Sequence, residues 1–340
     1  MTAASRYSRQ ELFAPLGAEG QARLRAARVL VAGVGALGSA LAEMMVRAGV
    51  GALTVVDRDF VEESNLQRQS LFDEADAAAG LPKAVAAANR LRRLNSEVAV
   101  QGLVADVTAA NVVALVGAAD LVLDGTDNFE TRFLLNDACV SARVPWVYGA
   151  CVGAHGLALA IRPGVSPCLR CVLRDRPAPG RGETCDTVGV IGPIVHVVAG
   201  LQAAEALKLL TGRHGDLLAG LATVDLWHGL FEVMDLRGVA PSCPACIEGR
   251  YEHLVRTTPE TAVLCGRDAV QLRPKGGLSL DLPALAARLR GAGRVVENDW
   301  LLRFFGDDAE LVVFADGRVL VKGVSDVARA RSLSARYVGM

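Results

Sequence analysis

Short, almost entirely apolar runs alternate with amphipathic helical stretches between residues 29 and 149. Nearly continuous apolar strands joined by helices are typical of a doubly wound, mostly parallel α/β sheet. The pattern therefore predicts a Rossmann-like fold. The predicted strands are 29–32, 53–56, 98–103, 121–124 and 146–149, and the predicted helices are 39–48, 83–94 and 130–142.

The pattern changes on both sides of this alternating region. Residues 5–27 predict one amphipathic helix, whose apolar anchors are Leu12, Phe13, Leu16 and Leu24. Residues 156–161 and 222–226 predict strands that extend the sheet in antiparallel fashion, with a long apolar helix at 194–210 between them. Residues 174–187 are rich in Pro, Gly and Arg, which predicts a mobile loop.

The last part of the chain has a separate α+β pattern. Asp281 is placed to cap a helix, and Ser325 to cap a final one. Asp316 and Gly317 predict a hairpin turn within a group of strands at 301–305, 310–314 and 318–321. We therefore expect a large domain at 1–250 and a small module of unknown role at 261–340, with 241–259 as the boundary.

Composition limits the classes of function. The formal net charge is −1, so no basic surface points to nucleic acid or an anionic membrane. The N-terminus has no basic-then-apolar signal segment. By its sequence, the chain is expected to contain no apolar run of the roughly 18–20 residues that cross a bilayer. These observations predict a cytoplasmic protein with no membrane or nucleic-acid partner.

A glycine-rich loop follows the first predicted strand. Gly33, Gly35 and Gly38 allow the backbone to approach a phosphate, and the helix that follows offers N–H groups at its positive end. Asp57 ends the second strand, where such folds bind a ribose hydroxyl. On these residues alone, an NAD-dependent dehydrogenase is the favoured interpretation.

A polar and cationic set then points away from nicotinamide chemistry. It contains Asn65, Arg68 and Gln69 in one run, followed by Lys83 and Asp127. Several cations with one carboxylate suit a triphosphate with a metal ion better than a nicotinamide ring.

Five motifs in a fixed order resemble the ThiF/MoeB/HesA group of ubiquitin-activating-enzyme-like adenylyltransferases. The resemblance extends over roughly residues 5–250. The motifs are Arg6-Tyr7-Ser8-Arg9-Gln10, the glycine loop, Ser64-Asn65-Leu66-Gln67-Arg68-Gln69, Gly80-Leu81-Pro82-Lys83 and Leu123-Asp124-Gly125-Thr126-Asp127-Asn128.

The resemblance implies that the protein uses ATP to adenylylate the C-terminal glycine carboxylate of a ubiquitin-like sulfur carrier. Such a carrier ends in Gly-Gly and serves thiamine thiazole synthesis, molybdopterin synthesis or another sulfur pathway, and we favour the thiazole branch. Sulfur would then come from a separate sulfurtransferase or cysteine desulfurase. An NAD-dependent oxidoreductase with a structural zinc is the alternative, and a non-catalytic scaffold is a third hypothesis.

The resemblance also assigns roles to the polar set. Arg68 and Lys83 would neutralise the α-phosphate, where negative charge builds as a carboxylate attacks. Asn65 and Gln69 would donate or accept hydrogen bonds to phosphate or ribose. Asp59 follows Asp57 as the family's second carboxylate after the second strand.

Asp127 lies where open α/β sheets bind their ligands, directly after a buried strand. A carboxylate beside three phosphates suits Mg²⁺. The competing interpretation is a helix N-cap, which either Asp127 or Asn128 could provide for the helix that follows.

Arg9 lies far in sequence from the glycine loop. In related enzymes this arginine reaches into the neighbouring subunit's site, so the resemblance implies a homodimer. The alternative is an ordinary surface arginine.

Two Cys-x-x-Cys pairs, Cys168 with Cys171 and Cys243 with Cys246, predict a metal site. Four thiolates on two tight turns give the tetrahedral coordination that Zn²⁺ accepts. We expect one structural zinc ion per chain, and a thioredoxin-like redox pair is the alternative.

Cys185 is a candidate nucleophile. In ubiquitin activation a cysteine takes the acyl group from the adenylate, and some sulfur-carrier relatives use the equivalent cysteine in an acyl-disulfide. A structural or incidental thiol is an equally open interpretation.

Overall fold

The computed structural model describes residues 6–175, 185–239, 242–255, 261–264, 269–273, 279–306 and 309–339. The chain divides into two compact units, Met1–Arg256 and Thr257–Met340. The first unit contains an eight-stranded sheet and the second a six-stranded sheet. The division falls inside the stretch 241–259.

The eight-stranded sheet has the order β3-β2-β1-β4-β5-β6-β7-β8. Its first five strands in this order are parallel, and the remaining pairings are antiparallel. The doubly wound sheet with an antiparallel extension is therefore confirmed. The strands are β1 Arg28–Ala32, β2 Ala52–Asp57, β3 Ala99–Val104, β4 Leu121–Asp124, β5 Trp146–Val152, β6 His155–Ile161, β7 Gly220–Asp225 and β8 Leu230–Asp235.

Strand β8 is the outer strand at one edge and was not predicted. Its sequence, Leu-Phe-Glu-Val-Met-Asp, lacks the strict apolar–polar alternation that marks a half-buried strand. All six of its residues are exposed.

Helices cover both faces of this sheet. Alternate residues of β1 face opposite ways, because Val29 and Val31 belong to one core and Leu30 and Ala32 to the other. The helices are α1 Ser8–Glu11, α2 Gly17–Ala26, α3 Ala36–Ala48, α4 Glu74–Ala78, α5 Lys83–Leu94, α6 Val112–Gly117, α7 Phe129–Ala142, α8 Leu169–Val172, α9 Cys185–Val188 and α10 Gly192–Leu210.

The prediction of one helix over residues 5–27 is wrong. The segment forms α1 and α2, separated by a turn that contains Pro15 and is followed by Gly17, the first residue of α2. Pro15 has no N–H for a helical hydrogen bond, and Gly17 has a φ of +61°. Leu12 and Phe13 are 72% and 63% exposed, whereas Leu24 is buried as expected.

Helix α1 is bound to the C-terminal end of α3, whereas the glycine loop lies at the N-terminal end of that helix. The buried Tyr7 precedes it, and Asn95 donates a 2.8 Å hydrogen bond to the Tyr7 hydroxyl. Gln10 donates to the carbonyl of Ala48, the last residue of α3. Since α3 has thirteen residues and begins at the glycine loop, its length separates the two regions by about 18 Å.

Helix α10 is longer and more apolar than expected. Within its 19 residues, an 18-residue window has a mean hydropathy of 1.3, so among the described residues this helix is one that could cross a bilayer by length and composition alone. Half of that window is buried. Val195, Val198 and Ala199 belong to the core between α3 and the sheet, which is the packing of a core helix.

The second unit is an antiparallel sheet with two helices, in the order β11-β12-β13-β14-β10-β9. Asp281 caps α11 as predicted and accepts from the Ala284 N–H. Asp326, rather than Ser325, caps α12 and accepts from the Arg329 N–H. The elements are β9 Thr261–Leu264, β10 Ala269–Leu272, α11 Leu282–Leu289, β11 Arg294–Glu297, β12 Leu301–Phe305, β13 Glu310–Phe314, β14 Val319–Lys322 and α12 Val327–Tyr337.

Candidate functional site

The glycine loop lies at the carboxyl end of β1, beside the segment that follows the neighbouring strand β4. Gly33 has a φ of +82°, and a Cβ there would lie 2.8 Å from the Gly125 carbonyl oxygen. A Cβ on Gly38 would lie 1.9 Å from the Gly33 carbonyl oxygen. At these two positions glycine is therefore required by close backbone packing inside the protein.

Gly35 has a different environment. Among the described residues, a Cβ there would meet only the Gln69 side-chain nitrogen, at 3.9 Å. Gly35 also directly precedes α3, whose positive end favours a bound anion. This part of the loop has the space and polarity for a phosphate.

Asp57 joins the glycine loop to the end of β2. Its two carboxylate oxygens accept 2.7 Å hydrogen bonds, one from the Val34 N–H and one from the Asp59 N–H. Burial raises the pKa of Asp57, and the charge of Lys83 opposes that rise. Each oxygen retains a second lone pair, so acceptance from a ribose hydroxyl remains compatible with the geometry.

Lys83 is only 4% exposed and is the first residue of α5. Its Nζ lies 3.5 Å from an Asp59 carboxylate oxygen, and its N–H donates to the Asp59 carbonyl. The sequence suggested Asp59 as a second nucleotide ligand. In the structure it is an ion-pair partner of Lys83, a pairing across 24 residues that no local pattern indicates.

The run at 65–69 turns back toward the glycine loop. Asn65 is buried, and its side-chain oxygen accepts from the Glu62 N–H in a capping box. Arg68 is half-buried and donates to the Ser64 carbonyl at 2.8 Å. Gln69 is 4% exposed, and its Oε1 has no hydrogen-bond partner among the described residues. Of these three side chains, Gln69 is the one that faces Gly35.

Asn128, and not Asp127, caps helix α7. Its Oδ1 accepts a 2.9 Å hydrogen bond from the Thr131 N–H. Asp127 is exposed and immediately precedes the cap. Of the two residues that could cap the helix, Asn128 is therefore the one that does so. The carboxylate of Asp127 lies at the surface, where a metal ion could bind it.

The sequence analysis missed a buried ion pair beside this segment. Asp124, which has no exposed surface, lies 3.2 Å from Nε of Arg132. Burial raises the pKa of Asp124, and Arg132 opposes that rise. A signal was present, since an Asp ends an otherwise apolar strand and an Arg follows eight residues later on the next helix.

Arg9 is exposed and lies on α1, at the other end of α3 from the glycine loop. The structure does not bring Arg9 to the site of its own chain. Its expected role in a partner's site stays a prediction.

The four cysteines of the two pairs meet in one cluster. Their Sγ atoms all lie within 4.8 Å of one another, with separations of 3.9, 3.6 and 3.4 Å between hydrogen-bonded pairs. A tetrahedron with metal–sulfur distances of about 2.3 Å has edges of about 3.8 Å. The cluster therefore has the size of a four-thiolate metal site. The clustered thiols share protons: hydrogen bonding from Cys171 lowers the pKa of Cys168 to about 5, whereas the hydrogen bond to Cys168 raises the pKa of Cys171.

Helix α7 supports the cluster. Asn136 accepts a 3.0 Å hydrogen bond from the N–H of Leu169, between the two cysteines of the first pair. Asp137 accepts from the His253 N–H and lies 3.8 Å from Arg170. These contacts hold both cysteine-bearing segments against one helix.

Part of the predicted loop at 174–187 lies outside the described residues, namely 176–184. Residues 185–188 are helical as α9, so the loop prediction is wrong for that end. The side chain of Cys185 lies outside the described part of the chain, and its covalent role stays a prediction from sequence.

The ThiF family model matches residues 7–245. The chain is similar to the sulfur carrier protein ThiS adenylyltransferase of Bacillus subtilis, with 47% identity over 98% of this chain and 99% of that protein. It is also similar to the sulfur carrier protein adenylyltransferase of Thermus thermophilus, with 40% identity over 71% of this chain and 90% of that protein. The crystal structure of E. coli MccB shares the fold, with a TM-score of 0.63 and 23% identity over 72% of this chain and 73% of that one.

Two glycine substitutions should separate folding from ligand binding. Gly38→Ala places a methyl group against the Gly33 carbonyl, so we expect a stability loss of about 1–3 kcal/mol by thermal unfolding. Gly35→Ala has room in the unliganded protein and should keep the wild-type Tm. It should weaken nucleotide binding, measured by calorimetry, by about ten-fold or more, because the methyl group enters the phosphate space. Wild-type affinity in Gly35→Ala would contradict this position for the phosphate.

Proposed function

The chain belongs to the ThiF family, and on that premise we propose that it adenylylates the C-terminal glycine carboxylate of a ubiquitin-like sulfur-carrier protein. The proposal depends above all on the similarity along nearly the whole chain to a ThiS adenylyltransferase. The segments that follow β1, β2 and β4, up to Lys83 at the start of α5, suit this chemistry. They provide cations for a triphosphate and an exposed carboxylate for its metal ion.

The reaction needs little covalent chemistry from the protein. A carboxylate oxygen of the carrier attacks the α-phosphorus of ATP, and the bond from that phosphorus to the pyrophosphate oxygen breaks. The products are an acyl-adenylate and pyrophosphate. The attacking group is already ionised, so no general base is required, and catalysis is positioning and charge neutralisation.

We assign the charge neutralisation to Arg68 and Lys83. Lys83 is held by Asp59 in the unliganded protein, so its ammonium is positioned before ATP binds. Asn65 and Gln69 contribute hydrogen bonds: Nε2 of Gln69, which lies beside Gly35, can donate to a phosphate oxygen, and the unsatisfied Oε1 can accept from a hydroxyl group.

Asp127 is the residue that we propose to hold Mg²⁺. One carboxylate together with phosphate oxygens and water is a donor set that Mg²⁺ accepts. When bound, the ion would neutralise phosphate charge. We propose that Asn128, the last residue of the fifth motif, also contributes to nucleotide binding. Its Oδ1 caps α7, so this contribution comes from its remaining polar atoms.

We further propose that the carrier is of the ThiS type. The Bacillus subtilis relative aligns with almost the whole chain, including the second unit, whereas the Thermus thermophilus relative aligns with 71% of it. Sulfur for the adenylate would come from a separate sulfurtransferase or cysteine desulfurase in the cytoplasm.

Pyrophosphate exchange tests the function directly. We expect exchange of labelled pyrophosphate into ATP only when a carrier ending in Gly-Gly is present, and none with a carrier that lacks its last glycine. Asp127→Asn should reduce this exchange by at least about 100-fold, because charge neutralisation by the metal is lost, while the Tm stays near that of wild type. Exchange without any carrier would disprove the proposed substrate, and normal exchange in Asp127→Asn would remove this residue from the metal site.

We propose that the cysteine cluster binds one structural Zn²⁺ per chain, and elemental analysis of protein purified without chelator should find it. Cys246→Ser should lower both the zinc content and the Tm, because the metal joins segments 75 residues apart. Cys151→Ser is the matched control, since this half-buried cysteine lies outside the cluster. Equal zinc content in both variants would exclude the cluster as the site.

We propose that Arg9 completes the site of a partner subunit in a homodimer, because α1 lies about 18 Å from its own glycine loop. Mixed dimers of Arg9→Ala and Lys83→Ala subunits should then recover one working site. Mixed dimers of wild type with the double variant should have none. The opposite result, activity only in the second mixture, would show that Arg9 acts within its own chain.

A further inference from the structure

The Asp124–Arg132 ion pair is completely enclosed at the end of β4. Asp124 has no exposed side-chain surface, and Arg132 has 7%. Removing two charges from water is costly, and such a pair is weak evidence for a gain in stability. The contacts of the pair indicate a different role.

Asp124 directs one carboxylate oxygen at the segment that follows it. Its Oδ1 accepts from both the N–H and the hydroxyl of Thr126, at 2.9 and 2.7 Å. Its Oδ2 accepts from Nε of Arg132. With both oxygens engaged and no exposed surface, Asp124 is not available as a ligand for ATP or a metal ion.

Arg132 holds the same segment from the other side. Its Nη2 donates to the Thr126 carbonyl at 2.7 Å and to the Gly149 carbonyl of β5 at 3.1 Å. The guanidinium also lies 5.5 Å from the centre of the Phe129 ring and 5.4 Å from that of Tyr148. The backbone N–H, carbonyl and hydroxyl of Thr126 are therefore all bound to this one pair.

Asp127 lies between two fixed residues as a result. Thr126 precedes it and is held by the ion pair, and Asn128 follows it and is held as the cap of α7. Gly125 is packed against the glycine loop, where a Cβ would lie 2.4 Å from the Gly33 carbonyl oxygen. The segment 125–128 therefore has little freedom to move without displacing its neighbours.

We propose that Asp124 and Arg132 are positioning residues, which fix the backbone at Thr126 and so hold the carboxylate of Asp127 ready for Mg²⁺. This inference rests on the function proposed above. Neither residue touches the reacting atoms. Residues that orient a metal ligand in this way change metal affinity or activity by about 10–100-fold when substituted.

A matched pair of substitutions tests the proposal without removing a buried charge. Thr126→Val removes the hydroxyl that donates to Asp124 and keeps the side-chain shape, whereas Thr126→Ser keeps the hydroxyl. Arg132→Lys is the stronger variant, since an ammonium cannot reproduce the planar contacts of a guanidinium. Leu135→Ala is the control. Leu135 is a fully buried residue of α7 outside the ion pair, so its substitution should lower stability without disturbing the pair.

Two readouts distinguish positioning from general destabilisation. The first is amide hydrogen exchange over residues 122–130 of the unliganded protein, which requires no activity. The second is the Mg²⁺ concentration that gives half-maximal pyrophosphate exchange at saturating ATP. We expect faster hydrogen exchange at 124–128, and a half-saturation for Mg²⁺ about ten-fold higher, in Arg132→Lys. Thr126→Val should change both in the same direction by a smaller factor, and Thr126→Ser should resemble wild type.

The outcomes separate this inference from the proposed function. Wild-type hydrogen exchange in Arg132→Lys and Thr126→Val, or a Mg²⁺ dependence no different from that of Leu135→Ala, would overturn the positioning role. If wild-type protein itself gives no carrier-dependent exchange of pyrophosphate, the proposed function fails. The positioning role is then judged by hydrogen exchange and by calorimetric titration of Mg²⁺ into the protein with ATP.

Discussion

The contact on which the candidate site depends is a backbone contact between two loops. Strands β1 and β4 are parallel neighbours, and the loops that follow them meet where Gly33 faces Gly125. A Cβ on either glycine would lie under 3.0 Å from the other loop. Because no side chain separates these backbones, the glycine loop and the segment that contains Asp127 are held as one unit. Glycine is needed here for packing as much as for approach to a ligand.

Charge is organised around this contact by residues that bind the backbone. Asp57 accepts hydrogen bonds from the N–H groups of Val34 in the glycine loop and of Asp59. Asp124 and Arg132 hold Thr126 through hydrogen bonds to its backbone. The groups proposed to meet ATP differ in exposure: Lys83 is buried and paired with Asp59, whereas Arg68 is half-buried and Asp127 is exposed. Carboxylates bound to the backbone thus fix the frame within which the proposed nucleotide-binding groups lie. Such preorganisation reduces the rearrangement needed when charge develops in the transition state.

Helix α7 connects the two candidate centres of the first unit. Asn128 caps it beside the nucleotide loops, Arg132 lies one turn further on, and Asn136 holds the turn between Cys168 and Cys171. These residues are spaced four apart, so they share one face of the helix. A polar stripe on a buried helix requires a partner for each group. Here the partners are the first turn of α7 itself, strands β4 and β5 with the segment that follows β4, and the first residue of α8. The cysteine cluster thereby supports the same helix that begins beside Asp127.

The sequence by itself determined the alternating elements, the glycine loop and the two cysteine pairs. Each depends on local patterns, such as the continuous apolar run at 121–123 or the spacing of Cys168 and Cys171. The family resemblance also came from ordered local motifs. Helix α11 was predicted from Asp281 and its apolar face for the same reason, because a cap acts within one turn.

Only the tertiary structure decided which distant residues meet. The pairing of Asp59 with Lys83, the enclosure of Asp124 with Arg132 and the distance of α1 from the glycine loop all depend on strand order and helix packing. No periodicity encodes such contacts, because each joins residues on different elements. The exposure of Leu12 and Phe13 shows the same limit, since it is set by what the rest of the fold leaves uncovered.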